Sequence, residues 1–265
     1  MALIRRSPAF SYTGTALVTG ASAGLGVAYA EALAGKGMDL ILVARTAAPM
    51  EELATRLRQE TGVAVTVLPS DLTDRAARAE LVADIDERGL LVDMLVNNAG
   101  FGTKGDFATL DPDRVVREIE LNCVALTDLA RQFLPGMLER HRGAILNIAS
   151  TAGFQPWPTM SVYGASKAYV RSLSLAMWFE TRGTGVRVLS VCPGATDTEW
   201  MAKTGAPDML PNRRSPQQVV ESTFRALDRD QPEVVDGVMN WITGHVATLA
   251  PKRVKLPIAR MFAKE

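Results

Sequence analysis

The sequence predicts an α/β fold, doubly wound and three-layered, around a central parallel sheet of about seven strands. Two observations carry that expectation. Short Val-, Ile-, Leu- and Ala-rich runs without polar alternation recur along the chain, as strands buried on both faces require. Segments with helical spacing separate them, so successive strands pair in parallel through crossover helices. No repeat, low-complexity tract or Gly/Ser linker interrupts this order, and residues 1–265 read as one domain.

The elements follow in turn. The opening dozen residues lack periodicity and read as a loose lead-in. Residues 15–20 form a short strand, a glycine-rich turn follows, and a helix covers 24–34. Strand 39–44 and helix 50–60 come next, then strand 63–68 and helix 74–88. Strand 93–97 leads to a long helix that opens at Pro112, a good first-turn residue, and closes near Pro135. The fifth strand ends at Ser150, its helix runs from about Tyr163 to Arg182, and a sixth strand covers 186–192.

Beyond Pro193 the pattern loosens. Residues 195–214 mix Pro, Gly, Asp and Asn with Trp200, Met201, Met209 and Leu210, the composition of a flap over a site. Ser215-Pro216 starts a helix to about Asp228, and 232–236 supply a seventh strand. The tail carries Lys252, Arg253, Lys255, Arg260 and Lys264 and reads as a solvated terminal helix rather than a membrane-surface one. The core thus spans about 14–194, the flap 195–214 and C-terminal helices 215–265.

Composition narrows the function classes. Lys and Arg balance Asp and Glu at 29 each, so no global field or basic stripe draws the chain to nucleic acid. No apolar run approaches the ~20 residues a bilayer span needs. Arg5-Arg6 is followed by Ser7-Pro8 rather than an apolar stretch, which is not the pattern of a signal peptide. Two lone cysteines and two histidines form neither a disulfide framework nor a metal-ligand spacing, and the expected compartment is the cytoplasm.

Ser150, Tyr163 and Lys167 carry the chemistry. At a spacing of four, the phenol and the ammonium share one helix face. A tyrosine alone is a poor acid or base near neutrality, with a pKa of ~10. A fixed ammonium at ~4 Å in an effective dielectric of ~20 would favour the phenolate by ~4 kcal/mol, or ~3 pKa units. Ser150 would then hold a substrate oxygen while Tyr163 moves the proton. Between strand one and helix one, the turn Gly20-Ala21-Ser22-Ala23-Gly24-Leu25-Gly26 lets backbone approach a pyrophosphate, with the helix N-terminus facing it.

Taken in order, Thr19-Gly20-x-x-x-Gly24-x-Gly26, Asn97-Asn98-Ala99-Gly100, Ser150, Tyr163-x-x-x-Lys167 and Pro193-Gly194 resemble the short-chain dehydrogenase/reductase family over residues 14 to 200. The resemblance implies a Rossmann-type fold and residue roles. Tyr163 would be the general acid in carbonyl reduction and the base in alcohol oxidation. Lys167 would lower its pKa and bond the nicotinamide ribose, and Ser150 would orient the substrate oxygen. Asn122 would hold a water in a proton relay to the lysine. Asn98, with Ala99 and Gly100, would line the ribose region, and Asp71-Leu72 the adenine. Pro193-Gly194 with Thr196 or Thr198 would close on the nicotinamide amide.

The expected cofactor is NADP(H). An NAD-specific site needs an acid at the end of strand two, which repels a 2′-phosphate. Here no Asp or Glu occurs there until Glu51, while Arg45 can fork onto a phosphate and Ser22 can add a hydroxyl. Ala23 stands where many NADP-preferring relatives carry a second basic residue, which makes the expected preference moderate.

Trp200, Met201, Met209 and Leu210, with Phe154, Trp157 and Met160, suggest an apolar pocket for a medium or large hydrophobic ketone, ketoacyl- or ketosteroid-like. The segment 168–179 has one charge in three turns, so a homodimer or homotetramer is expected to cover its outer side. A hydrolase is disfavoured, because Ser150 lacks a Gly-x-Ser-x-Gly elbow. The readings that compete are a non-catalytic dinucleotide sensor and an NAD-linked alcohol dehydrogenase.

Overall fold

The computed structural model describes residues 8–197 and 213–249. Seven parallel strands form one sheet in the order β3-β2-β1-β4-β5-β6-β7. They are β1 (Thr15–Thr19), β2 (Asp39–Ala44), β3 (Val65–Pro69), β4 (Val92–Asn97), β5 (Gly143–Ile148), β6 (Val186–Cys192) and β7 (Glu233–Val235). The strand order reverses at β1, which pairs with β2 on one side and β4 on the other. A crevice opens outside the carboxyl ends of the strands at such a switch point.

Helices cover both faces, because alternate strand residues point to opposite sides. Ala16, Val18, Leu40, Leu42, Leu146 and Val191 join α1 (Gly24–Ala34), α2 (Ala47–Thr61) and α7 (Pro216–Asp228) in one core. Leu17, Ile41, Leu95, Ile145 and Val188 join α3 (Arg75–Glu87), α5 (Leu126–Glu139) and α6 (Ser161–Glu180) in the other. Fully buried Tyr29 of α1 meets the Thr223 hydroxyl of α7 at 2.8 Å, which pins two distant parts of the chain together. A last helix, α8 (Val238–Leu249), follows β7.

Element boundaries follow local chemistry. Asp74 caps α3 by accepting from the Ala76 N–H at 2.8 Å, and Ser215 with Gln218 forms a capping box on α7. Helix α2 starts three residues earlier than the pattern suggests, because Pro49 falls in its first turn, where its missing N–H costs nothing. Strand β3 covers 65–69 rather than 63–68; it is an edge strand and ends on Pro69, a position where proline is tolerated.

The long helix departs most from expectation. It begins as α4 (Pro112–Ile119), widens into a π-helical segment (Glu120–Ala125) and continues as α5 through Pro135 to Glu139. Burial of Met137, with Leu134 and Leu138 packed beside it, carries the helix past the proline. Trp200, Met201, Met209 and Leu210 of the expected flap, and the basic tail from Lys252, lie outside the described residues. Among the described residues no helix is long and apolar enough to cross a membrane.

Candidate active site

A cleft of about 910 Å³ lies over the carboxyl ends of the strands. Its wall includes Gly20, Ser22, Ala23, Gly24, Leu25, Arg45, Asp71, Leu72, Asn98, Ala99, Gly100, Ser150, Tyr163, Lys167, Pro193, Gly194 and Thr196. Gly26 and Asn122 stand one layer behind it, and Thr198 lies outside the described residues. The tertiary structure thus gathers onto one surface residues spread over about 175 positions of the chain.

One end of the cleft has the shape of a backbone cradle. Gly20 and Gly24 adopt positive φ of 67° and 56°, which glycine alone reaches without strain. Gly26 packs so closely under the turn that an added Cβ would lie 2.1 Å from the Gly20 carbonyl oxygen. Ala23 is the N-cap of α1 and offers no capping side chain, so the first-turn N–H groups are left for another acceptor. Asn98 braces the cradle: its side-chain amide donates to the Thr19 carbonyl at 2.9 Å, and its backbone N–H donates to the Thr19 hydroxyl at 2.9 Å. These features fit a pyrophosphate.

Arg45, Thr46 and Ser22 line the same end, at the tip of β2. Asp71 is close by. Although burial opposes its ionisation, hydrogen bonds from Thr73 and the charges of Arg117 and Arg45 hold its carboxyl below the usual range. Buried Arg78 fixes this loop by donating to the Leu72 carbonyl and to Asp128, both at 2.8 Å. Lys104, in the loop before α4, and Arg114 and Arg117 of α4 also line the cleft; no motif in the sequence marks these three charges.

At the other end stand Ser150, Tyr163 and Lys167. Beyond β5 the chain turns through a short 3-10 segment (Thr151–Phe154) capped by Ser150, whose oxygen accepts from the Ala152 N–H at 3.1 Å. The Ser150 hydroxyl also hydrogen-bonds the Tyr163 phenol. A buried polar chain holds the strand ends against α6: Asn97 donates to Asn147, and Asn147 to Ser174, each at 3.0 Å.

Lys167, on the helix face it shares with Tyr163, directs its ammonium to backbone. Its Nζ lies 5.7 Å from the Tyr163 ring centroid and donates to the Ile148 carbonyl at 2.8 Å. Burial therefore governs both groups, even though the tyrosine shows part of its surface to the cleft. It pushes the phenol up to about 12 against the opposing Ser150 hydrogen bond, and pulls the ammonium down to about 8. The expected lowering of the phenol by a neighbouring ammonium is not what this geometry produces.

Asn122 lies in the π-helical segment, a local widening often found at functional sites. Its amide donates to the Phe101 carbonyl at 2.9 Å and the Ser166 hydroxyl at 3.1 Å, and its oxygen accepts from the Phe101 N–H at 3.1 Å. Trp157 and Met160 line the cleft, but Phe154 does not. It packs with Leu126, Ala149, Val170 and Cys192 in a separate core, under the Arg171 guanidinium at 4.1 Å. Among the described residues no group of three His, Cys, Asp or Glu side chains is placed to hold a metal ion.

Comparisons with known proteins agree with this geometry. The family model described as short chain dehydrogenase matches residues 14–208. A very-long-chain 3-oxoacyl-CoA reductase from Anas platyrhynchos is 34% identical over 268 residues, covering 94% of this chain and 83% of its own length. A short-chain dehydrogenase from Sphingobium yanoikuyae in complex with NADPH superimposes with a TM-score of 0.80 at 37% identity, covering 89% of this chain and 94% of that one. A bulky-bulky ketone specific alcohol dehydrogenase from Comamonas testosteroni gives a TM-score of 0.77 at 33% identity, over 91% and 98% of the two chains.

Proposed function

Because the chain belongs to the short-chain dehydrogenase family, an oxidoreductase family, we propose that its cleft exchanges hydride between NADP(H) and a medium-to-large hydrophobic ketone or the matching secondary alcohol. The observation that carries this reading is the single cleft in which the glycine cradle faces Ser150, Tyr163 and Lys167. Gly20, Gly24 and the α1 N-terminus would hold the pyrophosphate, and Arg45 with Ser22 the 2′-phosphate. A bound nicotinamide supplies or accepts the hydride.

The chain's own residues do the rest. Ser150 orients the substrate oxygen. Tyr163 donates its phenolic proton to that oxygen as negative charge develops on it, and takes it back when an alcohol is oxidised. A phenol pushed up to about 12 remains protonated at neutral pH, yet is more acidic than the alcohol formed when a developing alkoxide takes its proton. Lys167 provides positive charge beside this exchange, and Asn122 fixes the backbone at Phe101 along the same wall. Trp157 and Met160 give the substrate end an apolar surface. The ketone class is in keeping with the oxoacyl and bulky-ketone names of the two relatives.

Steady-state kcat/KM with NADPH and NADH, for long-chain or aryl ketones against small sugars, tests this reading. NADPH and the bulky ketones are expected to win. Arg45→Asp should lower kcat/KM with NADPH by about 10-fold or more, the worth of a charge-assisted hydrogen bond, and shift preference to NADH. Wild type favouring NADH, or faster turnover of sugars, overturns it.

We also propose a homodimer or homotetramer built on α4 to α6. Val116, Ile119, Val124 and Tyr169 are each at least 40% exposed along this outer face, and Phe179 is 66% exposed at the end of α6. Covering such a surface with a second copy removes apolar area from water. Light scattering at micromolar concentration is expected to give a multiple of the 28.6 kDa chain mass; a monomer mass refutes this.

A further inference from the structure

Behind the cleft lies an acidic group that the scheme above does not use. Glu118, in the last turn of α4, is 0% exposed, and neither of its carboxylate oxygens makes a hydrogen bond. The neighbouring Thr103 hydroxyl, also buried, makes none either, although it is near enough to favour the charged form of the acid. A carboxylate so placed is costly unless positive charge answers it.

The surroundings supply that charge from α6. Asn122 follows Glu118 by about one turn, and its Oδ1 and the Lys167 Nζ converge on Gly100, at 2.8 and 3.4 Å from where a Cβ would stand. The charged or titratable groups that interact with Glu118 are Lys167 and Tyr163 of α6, Cys123 of the π segment and Arg114 of its own helix. Arg114 is engaged elsewhere, over the Phe101 ring at 5.0 Å and toward the Gly102 carbonyl at 3.4 Å. Burial pulls the Lys167 ammonium down, and Cys123, Glu118 and Cys192 are the acids set against it. Both thiols are themselves pushed up by burial and stay neutral at physiological pH. Burial pushes the Glu118 carboxyl up as well, opposed by Thr103 and by the charges of Lys167 and Arg114; starting from the carboxylate range, it is the acid in this set that can be ionised there.

We propose that Glu118 is a positioning residue, the buried counter-charge that keeps Lys167 an ammonium in the cleft wall. Its effect on turnover rests on the oxidoreductase reading, but the charge–charge interaction itself does not. The test titrates the 13Cε resonance of Lys167 in lysine-labelled free protein, assigned by comparison with Lys167→Met. In Glu118→Gln, which keeps size and hydrogen-bonding capacity, the Lys167 midpoint is expected to fall by about one pH unit or more. Glu118→Asp should restore part of the shift, and the alkaline limb of kcat/KM should move with the midpoint. A Gln variant with the wild-type midpoint overturns the proposal, because a merely structural Glu118 leaves that midpoint in place. Should the Gln variant fail to fold, the glutamate carboxyl resonances of the wild type decide. Glu118 must be ionised at pH 7, and a protonated carboxyl there equally overturns the proposal. Because both readings are made on free protein, they hold even if no ketone is turned over.

Discussion

Replacing Tyr163 by phenylalanine is expected to cut kcat by about 10²–10⁴-fold, the usual contribution of a positioned proton donor. The ring remains in the cleft wall, so the loss is confined to one hydroxyl and its hydrogen bond with Ser150. Cofactor affinity should change by no more than a few-fold, since the glycine cradle and Arg45 lie at the opposite end of the cleft. An effect seen in kcat with little change in KM is the signature of an interaction made in the transition state. Near-normal turnover in a variant that still binds cofactor would remove Tyr163 from the chemistry.

An alanine at Gly26 is expected to be as damaging, by a different route. Its Cβ would meet the Gly20 carbonyl oxygen at 2.1 Å, the Gly20 carbonyl carbon at 2.7 Å and the Asn98 amide at 2.9 Å. Two of those three atoms belong to backbone and cannot swing aside. Relief requires moving Gly20, which already holds a positive φ and forms part of the cradle. Overpacking of this kind costs about 1–3 kcal/mol, or very roughly 2–10 °C in melting temperature for a chain of this size. Displacing the cradle should also weaken dinucleotide binding by more than about tenfold. Thermal unfolding and a cofactor titration check both effects, and a variant with wild-type values in each would show that the close approach under the turn is unimportant.

Much of this architecture was legible in the residues themselves. The bounds of α1, β2 and β6 follow from short apolar runs and turn residues, because burial on both sheet faces leaves strands no polar alternation. The glycine turn and the Tyr163–Lys167 spacing were equally readable, since backbone freedom at a glycine and the helical repeat are properties of a few adjacent residues. The doubly wound parallel sheet and the dehydrogenase family followed from that ordered set of elements and motifs, whereas the strand order came from the structure.

What tertiary structure decided lies elsewhere, in competition between distant groups. Lys167 was expected to lower the phenol, but burial raises it instead, and the Ile148 carbonyl, 19 residues away, takes a hydrogen bond from the ammonium. Phe154 was expected in the pocket, yet it fills a core closed by β6 and α6. The helix was expected to stop near Pro135, but the packing of Met137 carries it on to Glu139. Nothing in the sequence singles out Glu118, which is a buried acid because α6 and the Thr103 loop pack against it. Periodicity and turn chemistry are set by neighbours in sequence. Burial, and with it the charge state of a lysine or a carboxyl, is set by which distant segments exclude water from it.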